Sequence, residues 1–333
     1  MMSEGTMPLG ERVRGLLGRR VSVLVVLMAL VVVAVEVPVD GWLMELLRQF
    51  RLWGAGTGLV LGLLALGLRM RWWWVVAALV LAGWQGWSLL EWKRSPGMME
   101  EKAAESAEKV VGGRLTLVSC NLLYEMREPG RMSALLAAAD ADVLVLLEFT
   151  TEWDRELGRE LWGRYPYRVA EPQRGPFGIC LASRVPLSGA KVEYDPAGFP
   201  CVAAVVEVAG KRVGVLGVHP MPPMQPEGYE MWREAFAAWP GMLARLGEPL
   251  RVVAGDFNAT PFCRTFRGFV AGQGLRETSR GYGLESTWYP GRLPWGLPLD
   301  HVLVSEGLRV RGYGVGPEAG SDHRWVRVEL GVD

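Results

Sequence analysis

Val252-Val253-Ala254-Gly255-Asp256-Phe257-Asn258 is the stretch on which the reading of this chain turns. Three small or β-branched apolar residues read as a buried strand, and the glycine ends it. Beyond the glycine stand a carboxylate, a ring and an amide. A buried strand that closes on such groups either caps itself through local hydrogen bonds or aims them into a cleft. One such end favours self-capping. The same pattern recurs, however, at other strand-like runs: 115–119 leads into Cys120-Asn121, 143–147 into Glu148, and 213–218 into His219. Further along come Leu299-Asp300-His301 and Gly320-Ser321-Asp322-His323. Six polar ends in one half of the chain point to a shared site.

Around these motifs the second half alternates. Strand-like runs also occur at 178–182, 202–208, 302–305, 308–313 and 325–330, and helical patterns at 132–139, 153–162, 228–246 and 262–273. Ala209-Gly210-Lys211-Arg212 has the composition of a hairpin turn. Strands joined sometimes by helices and sometimes by tight turns imply a mixed sheet, or a pair of sheets with helices outside.

The first half is of another kind. The whole chain has 333 residues, half of them hydrophobic, 22% charged, and a formal net charge of zero. Eight of its fifteen tryptophans nevertheless fall before position 93. Runs at 21–35, 52–68 and 72–90 contain no charged residue. A helix needs roughly 20 mostly apolar residues to cross a bilayer, so these runs with their flanks predict three spans, at 16–37, 52–69 and 72–91. A signal peptide followed by buried core helices is the competing reading, but no small-residue cleavage site follows the first run. Arg12, Arg14, Arg19 and Arg20 precede the first uncharged run, and Arg69 and Arg71 sit between the second and third runs. The excess of basic residues there predicts a cytoplasmic N-terminus and an extracytoplasmic second half, as in a bacterial inner membrane. Gly58 and Gly62 have the spacing of a close helix contact. The expected organisation is an anchor at 1–92, a charged linker at 93–113 and a catalytic domain at 114–333.

The catalytic half has 24 basic and 26 acidic residues, without the cationic excess of a protein that grips duplex nucleic acid. Its four cysteines, Cys120, Cys180, Cys201 and Cys263, have no zinc or redox spacing. Buried thiols and a Cys180–Cys201 bridge both remain open. The chain's three histidines, His219, His301 and His323, all fall within the strand-end motifs. Histidine is the usual group for proton transfer near neutrality. The carboxylates Glu148, Asp256 and Asp322 with the amides Asn121 and Asn258 make a hard-oxygen set suited to Mg²⁺ or Mn²⁺. A divalent cation with two imidazoles is chemistry for hydrolysing a phosphoester.

On these motifs, in this order, the region from about 114 to 330 resembles the endonuclease/exonuclease/phosphatase superfamily of DNase I-like, metal-dependent phosphoesterases. The resemblance implies an α+β fold, a four-layer αββα sandwich with the site at one edge, here preceded by an all-α transmembrane segment of about three helices. It implies Glu148 as principal Mg²⁺ ligand, with Asn121 and Asp322 near the metal. Asp256 would orient or deprotonate water, Asn258 and His219 would hold the phosphate, and Asp300 would pair with His323. His301 is expected to be structural. Leu123 stands where some nuclease members carry an acidic residue. The substrate classes left open are a lipid head group, a small phosphoester and a nucleic acid, the last making the chain a nuclease on extracytoplasmic DNA or RNA. A catalytically degenerate, tethered binding module is the reading outside enzymology. The lipid bilayer is the expected partner of the N-terminal helices, and the sequence points to no protein partner.

Overall fold

The computed structural model describes residues 8–93, 113–125, 127–291 and 295–332. The charged linker expected at 93–113 falls, between its end residues, outside the described residues. The chain divides into two compact units, Met1–Glu91 and Trp92–Asp333.

The first unit holds helices α1 (Leu9–Glu36), α2 (Trp42–Gln49), α3 (Arg51–Gly67) and most of α4 (Trp72–Lys93). Helices α1 and α4 are long and apolar enough to cross a membrane, and α2 and α3 form a pair bent by 63°, a third span if counted as one. Val21, Val25, Met28 and Val32 line one face of α1 at helical spacing and pack with Leu61, Ala65 and Ala78. The opposite faces expose leucines and valines such as Leu27, Leu30, Leu63 and Val80. A Cβ on Gly58 would stand 2.8 Å from Met28 Cε and 2.9 Å from Ala82 Cβ, so the small residue lets helices approach closely. Beyond the end of α1 the Arg48 guanidinium donates to the carbonyls of Val35, Val37 and Val39, which supplies donors that the end of a helix lacks.

The second unit is a sandwich. Its strands are β1 (Gly113–Asn121), β2 (Val143–Leu147), β3 (Tyr167–Glu171), β4 (Ile179–Ser183), β5 (Leu187–Tyr194), β6 (Pro200–Val208), β7 (Lys211–Val218), β8 (Leu250–Asp256), β9 (Leu275–Glu277), β10 (Asp300–Ser305), β11 (Leu308–Val315) and β12 (Val326–Val332). One sheet has the order β11-β12-β1-β2-β4-β3 and the other β5-β6-β7-β8-β10-β9. Each contains one parallel pair, β1 with β2 and β7 with β8. The β6–β7 hairpin turns on Ala209 and Gly210, both at positive φ, the backbone that two-residue hairpins require.

Alternation along the strands sorts side chains between two layers. Leu115 and Leu117 of β1, Val213 and Val215 of β7, Val252 and Ala254 of β8, and Val302 and Val304 of β10 all enter the core between the sheets. The intervening residues Val118, Cys120, Leu144 and Leu146 pack instead on α5 (Pro129–Ala138) and α6 (Thr151–Gly158) through Met132, Leu136 and Trp153. On the other outer face α7 (Pro226–Leu246) and α8 (Arg264–Gly272) interlock Phe236, Trp239, Phe266 and Phe269 with Phe257. The order is helix, sheet, sheet, helix, as the sequence led one to expect.

The four cysteines are buried free thiols. Cys180 packs with the α5–α6 layer of the first sheet, while Cys201 lies on β6 of the second, out of phase with the inward-facing Val202 and Ala204. The two point to opposite outer layers, so the bridge that their sequence separation allows is not made. Burial raises the pKa of both.

Candidate active site

The same alternation that fills the core delivers the site. Asn121 ends β1 in phase with Leu115 and Leu117. His219 follows β7 in phase with Val213 and Val215. Asp256 ends β8 in phase with Val252 and Ala254, and Asp300 opens β10 in phase with Val302 and Val304. Four polar side chains thus stand where the inter-sheet core reaches its edge. Registers place them at one level: Asp300 pairs across from Asp256, and Asn121 from Leu147. Glu148 is out of phase with the inward-facing Leu147, but its φ of 55° breaks the extended alternation and re-aims the carboxylate. Gly255 is required by the close approach of β7, because a Cβ there would overlap the Val218 carbonyl oxygen.

From the first sheet come Asn121 and Glu148. Asn121 Nδ2 donates to Glu148 Oε1 at 2.9 Å, and the Tyr124 N–H donates to Glu148 Oε2 at 2.9 Å. Burial nevertheless raises the Glu148 pKa, the two hydrogen bonds opposing it. From the second sheet come Asp256, His219 and Asp300. His323 Nδ1 donates to Asp300 Oδ2 at 2.8 Å, which fixes the tautomer and leaves Nε2 pointing elsewhere. That Nε2 lies 3.6 Å from Asp256 Oδ2, as does Nε2 of His219. Asn121 Nδ2 is 3.4 Å from the same oxygen. One carboxylate oxygen is therefore ringed by three nitrogen groups across the seam between the sheets, at separations longer than an ordinary hydrogen bond.

The charges are strongly perturbed. Burial pushes the Asp256 carboxyl up to about 7, against the pull of His323. Burial works against protonated His323, yet the Asp300 and Asp256 carboxylates outweigh it and hold its pKa at about 10. Burial and the neighbouring His323 charge push His219 down to about 4, so it is neutral at pH 7. The Asn258 N–H donates to Asp256 Oδ1 at 2.8 Å, and its side-chain amide ties the loop to Pro220 O at 3.0 Å. Phe177 lies with its ring 5.7 Å from His219 and 3.9 Å from Phe199.

Asp322 is held by Trp288 Nε1, which donates to its Oδ2 at 3.1 Å, while Oδ1 is buried without a hydrogen-bond partner. Asp300 Oδ1 is likewise without one. Buried carboxylate oxygens lacking donors, beside Glu148 and Asp256, fit a hard divalent cation. Among the described residues the ligand-type atoms that cluster within 4.8 Å belong to Asp256, Asp300 and His323. His301 stands apart, bonded to Glu277 at 3.0 Å and to Ala259 O at 2.8 Å.

Several supports carry no signal in the sequence. Thr287 Oγ1 accepts from the N–H groups of Leu299 and Asp300. Trp153 Nε1 donates to Leu123 O, and Trp232 Nε1 to Phe257 O. Trp288 belongs with them: nothing in its neighbourhood announces that it faces a carboxylate 34 residues away. Ser321, in contrast, sits inside a motif, and its hydroxyl joins Asn121 O at 2.9 Å to the N–H of His323 at 3.0 Å.

No curated protein matches this chain in sequence. Solved structures share its fold. An endonuclease/exonuclease/phosphatase from Bacteroides vulgatus superposes with a TM-score of 0.57 at 13% identity, covering 66% of this chain and 99% of its own. The Neisseria 3' phosphatase NExo, bound to a product DNA hairpin, gives 0.53 at 20% identity, with 64% and 98% covered. D. rerio TDP2, complexed with a single-strand DNA product, gives 0.52 at 15%, with 65% and 98% covered. The sequence model of the endonuclease/exonuclease/phosphatase family matches residues 118–323, more than half of the 333. The strand-end motifs, the two-sheet sandwich and this match agree, and the chain belongs to the endonuclease/exonuclease/phosphatase family of metal-dependent hydrolases of phosphoester bonds.

Proposed function

We propose that the chain is a membrane-anchored, Mg²⁺-dependent phosphoesterase whose catalytic unit lies outside the cytoplasm. The observation that carries the catalytic part is the convergence on Asp256 Oδ2 of Asn121 and His323, from a strand end and a loop of the first sheet, and of His219 from the second. Glu148 is the principal metal-holding residue in this reading, with Asn121 and Asp322 beside it. His323 belongs to the tightest cluster of ligand-type atoms, but in this reading its Nδ1 is committed to Asp300 and its Nε2 serves the phosphate. When bound, the cation would neutralise charge on the phosphoryl oxygens and polarise the phosphorus.

The remaining roles belong to the chain's own side chains. Asp256, with its raised pKa, accepts a proton from the attacking water and orients it. His323, charged and oriented by Asp300, donates through Nε2 to a phosphoryl oxygen as negative charge grows there. His219 is neutral and contributes a hydrogen bond to the phosphate without adding charge. Asn258, on the loop that Asp256 itself anchors, supplies a further amide.

Anchoring rests on α1 and α4, with the bent α2–α3 pair as the third span. Orientation rests on Arg12, Arg14, Arg19 and Arg20 before the first uncharged run and Arg69 and Arg71 after the second. The test is hydrolysis of bis(p-nitrophenyl) phosphate and p-nitrophenyl phosphate by the full chain in detergent, with and without Mg²⁺ and Mn²⁺. Activity that needs the metal and falls at least about 100-fold in Glu148→Ala and His323→Ala is expected; activity indifferent to both substitutions would refute the reading. A nuclease is the second reading, favoured by the DNA bound to the structural neighbours NExo and TDP2. It requires plasmid nicking that falls steeply with salt.

A further inference from the structure

The strand registers identify which loops share the site's end of the sandwich. They are the segments after β1, β2, β7 and β8, those that precede β4, β6 and β10, and the one joining β11 to β12. Among the described residues of this unit, six large apolar or aromatic side chains are exposed: Tyr124, Tyr167, Tyr194, Met224, Met231 and Trp295. Tyr167 opens β3 opposite Ser183, at the far end. The other five lie at the site's end. Tyr124 comes after β1, Tyr194 closes β5 opposite Pro200, Met224 and Met231 flank the start of α7, and Trp295 precedes β10. Met224 is 62%, Tyr194 53% and Trp295 49% exposed. Exposed apolar residues scattered singly need no explanation, but a concentration around the mouth of a site marks a binding surface.

The charges at this end narrow the occupant. Among the described residues Arg127 and Arg131 are paired with Glu125 and Glu128, Arg324 is turned onto the carbonyls of Val315 and Gly316, and Arg174, before β4, is exposed, one cation and not a row. A nucleic-acid backbone would need cations directed outward in a row. Methionine, tyrosine and tryptophan suit a different surface: the boundary of a bilayer, where one part of the ring stays wet and the rest is buried. The same chain carries helices of membrane-crossing length and apolarity.

We propose that this end of the sandwich rests on a lipid bilayer and that the phosphoester hydrolysed there is the headgroup phosphate of a membrane lipid. The substrate half of the proposal rests on the phosphoesterase reading above; the docking half does not. The test uses the full chain reconstituted in vesicles of phosphatidylcholine and phosphatidylglycerol. A nitroxide is placed on Met224→Cys, and separately on Tyr167→Cys, the native cysteines being buried. The label at 224 is expected to collide more with dissolved oxygen than with an aqueous nickel chelate, and the label at 167 the reverse. Equal behaviour at the two positions would overturn the docking. In the same vesicles Met224→Glu and Met231→Glu should raise the KM for phospholipid about tenfold, leaving kcat/KM for bis(p-nitrophenyl) phosphate unchanged. An equal change on both substrates, or none on either, overturns the lipid substrate. A chain with a lipid-facing label but no hydrolysis of any phosphoester refutes the phosphoesterase reading and the lipid substrate, and upholds the docking.

Discussion

Asp256 titrates near neutrality and His323 well above it, and their roles require opposite protonation states. Asp256 acts only when deprotonated, so the rate rises with pH through its pKa of about 7. His323 acts only when protonated, so the rate falls as pH passes its pKa of about 10. A profile of kcat/KM against pH should therefore be a plateau between these limbs. A divalent cation held beside Asp256 favours its charged form and offsets the carboxylate field that holds the His323 proton, so raising Mg²⁺ should move both the acidic and the alkaline limb to lower pH. Asp300→Asn removes the charge behind His323 while keeping the side chain's shape. It should lower kcat by about 10- to 100-fold, as loss of such an orienting partner does, and shift the alkaline limb downward. An alkaline limb that stays put in this variant would show that His323 is not the group being titrated.

Among the elements, strand β8 carries the tightest constraint. Gly255→Ala sets a methyl group against the Val218 carbonyl oxygen, which forces β7 and β8 apart just below His219 and Asp256. Urea unfolding should show a loss of about 2 kcal/mol or more, from strain and a broken pairing. This strand is also legible in the sequence, because its buried stretch from Val252 to Gly255 carries no polar side chain and the terminal Asp256 stands out. The same holds for β2 and Glu148, and for the buried stretch 213–218 of β7 and His219. Of the four edge strands, β11 shows in the run at 308–313 and the other three are not legible. β3 and β5 keep exposed or half-exposed residues along most of their length, so neither shows an apolar run, and β9 is three residues long. The site is readable wherever strand parity alone delivers the side chain, as at Asn121, Asp256 and Asp300. The Trp288–Asp322 contact and the Thr287 hydroxyl beneath Asp300 depend on tertiary approach, which no local pattern encodes. Helix α2 escapes notice for another reason: its polar face, Glu45, Arg48 and Gln49, is turned inward and reads as a loop.

For the whole molecule, the concentration of Glu148, Asp256, Asp300 and Asp322 around a single protonated imidazole is a source of repulsion that a divalent cation relieves. Mg²⁺ should therefore raise the Tm of the full chain in detergent, and Glu148→Gln should remove most of that increase, since ligand bound only by the folded state stabilises it by mass action. Protease added to sealed inner-membrane vesicles of known orientation should cleave the C-terminal unit only from the extracytoplasmic side. Cleavage from the cytoplasmic side would reverse the topology. The seam between the sheets has a further consequence. Each sheet owns half of the active centre, and the halves are held in step by the interleaved side chains of the core and by a few polar ties at its edge, His323 to Asp300 and Trp288 to Asp322. Gly217 lies at this joint, where a Cβ would stand 2.7 Å from Val202 Cγ2 and 2.9 Å from Val145 Cγ1. The protein is thus a mechanical caliper whose jaws are β-sheets. On heating, the jaws need open by only a fraction of an ångström to idle the enzyme, so catalysis should disappear several degrees before the far-UV circular dichroism reports any loss of strand.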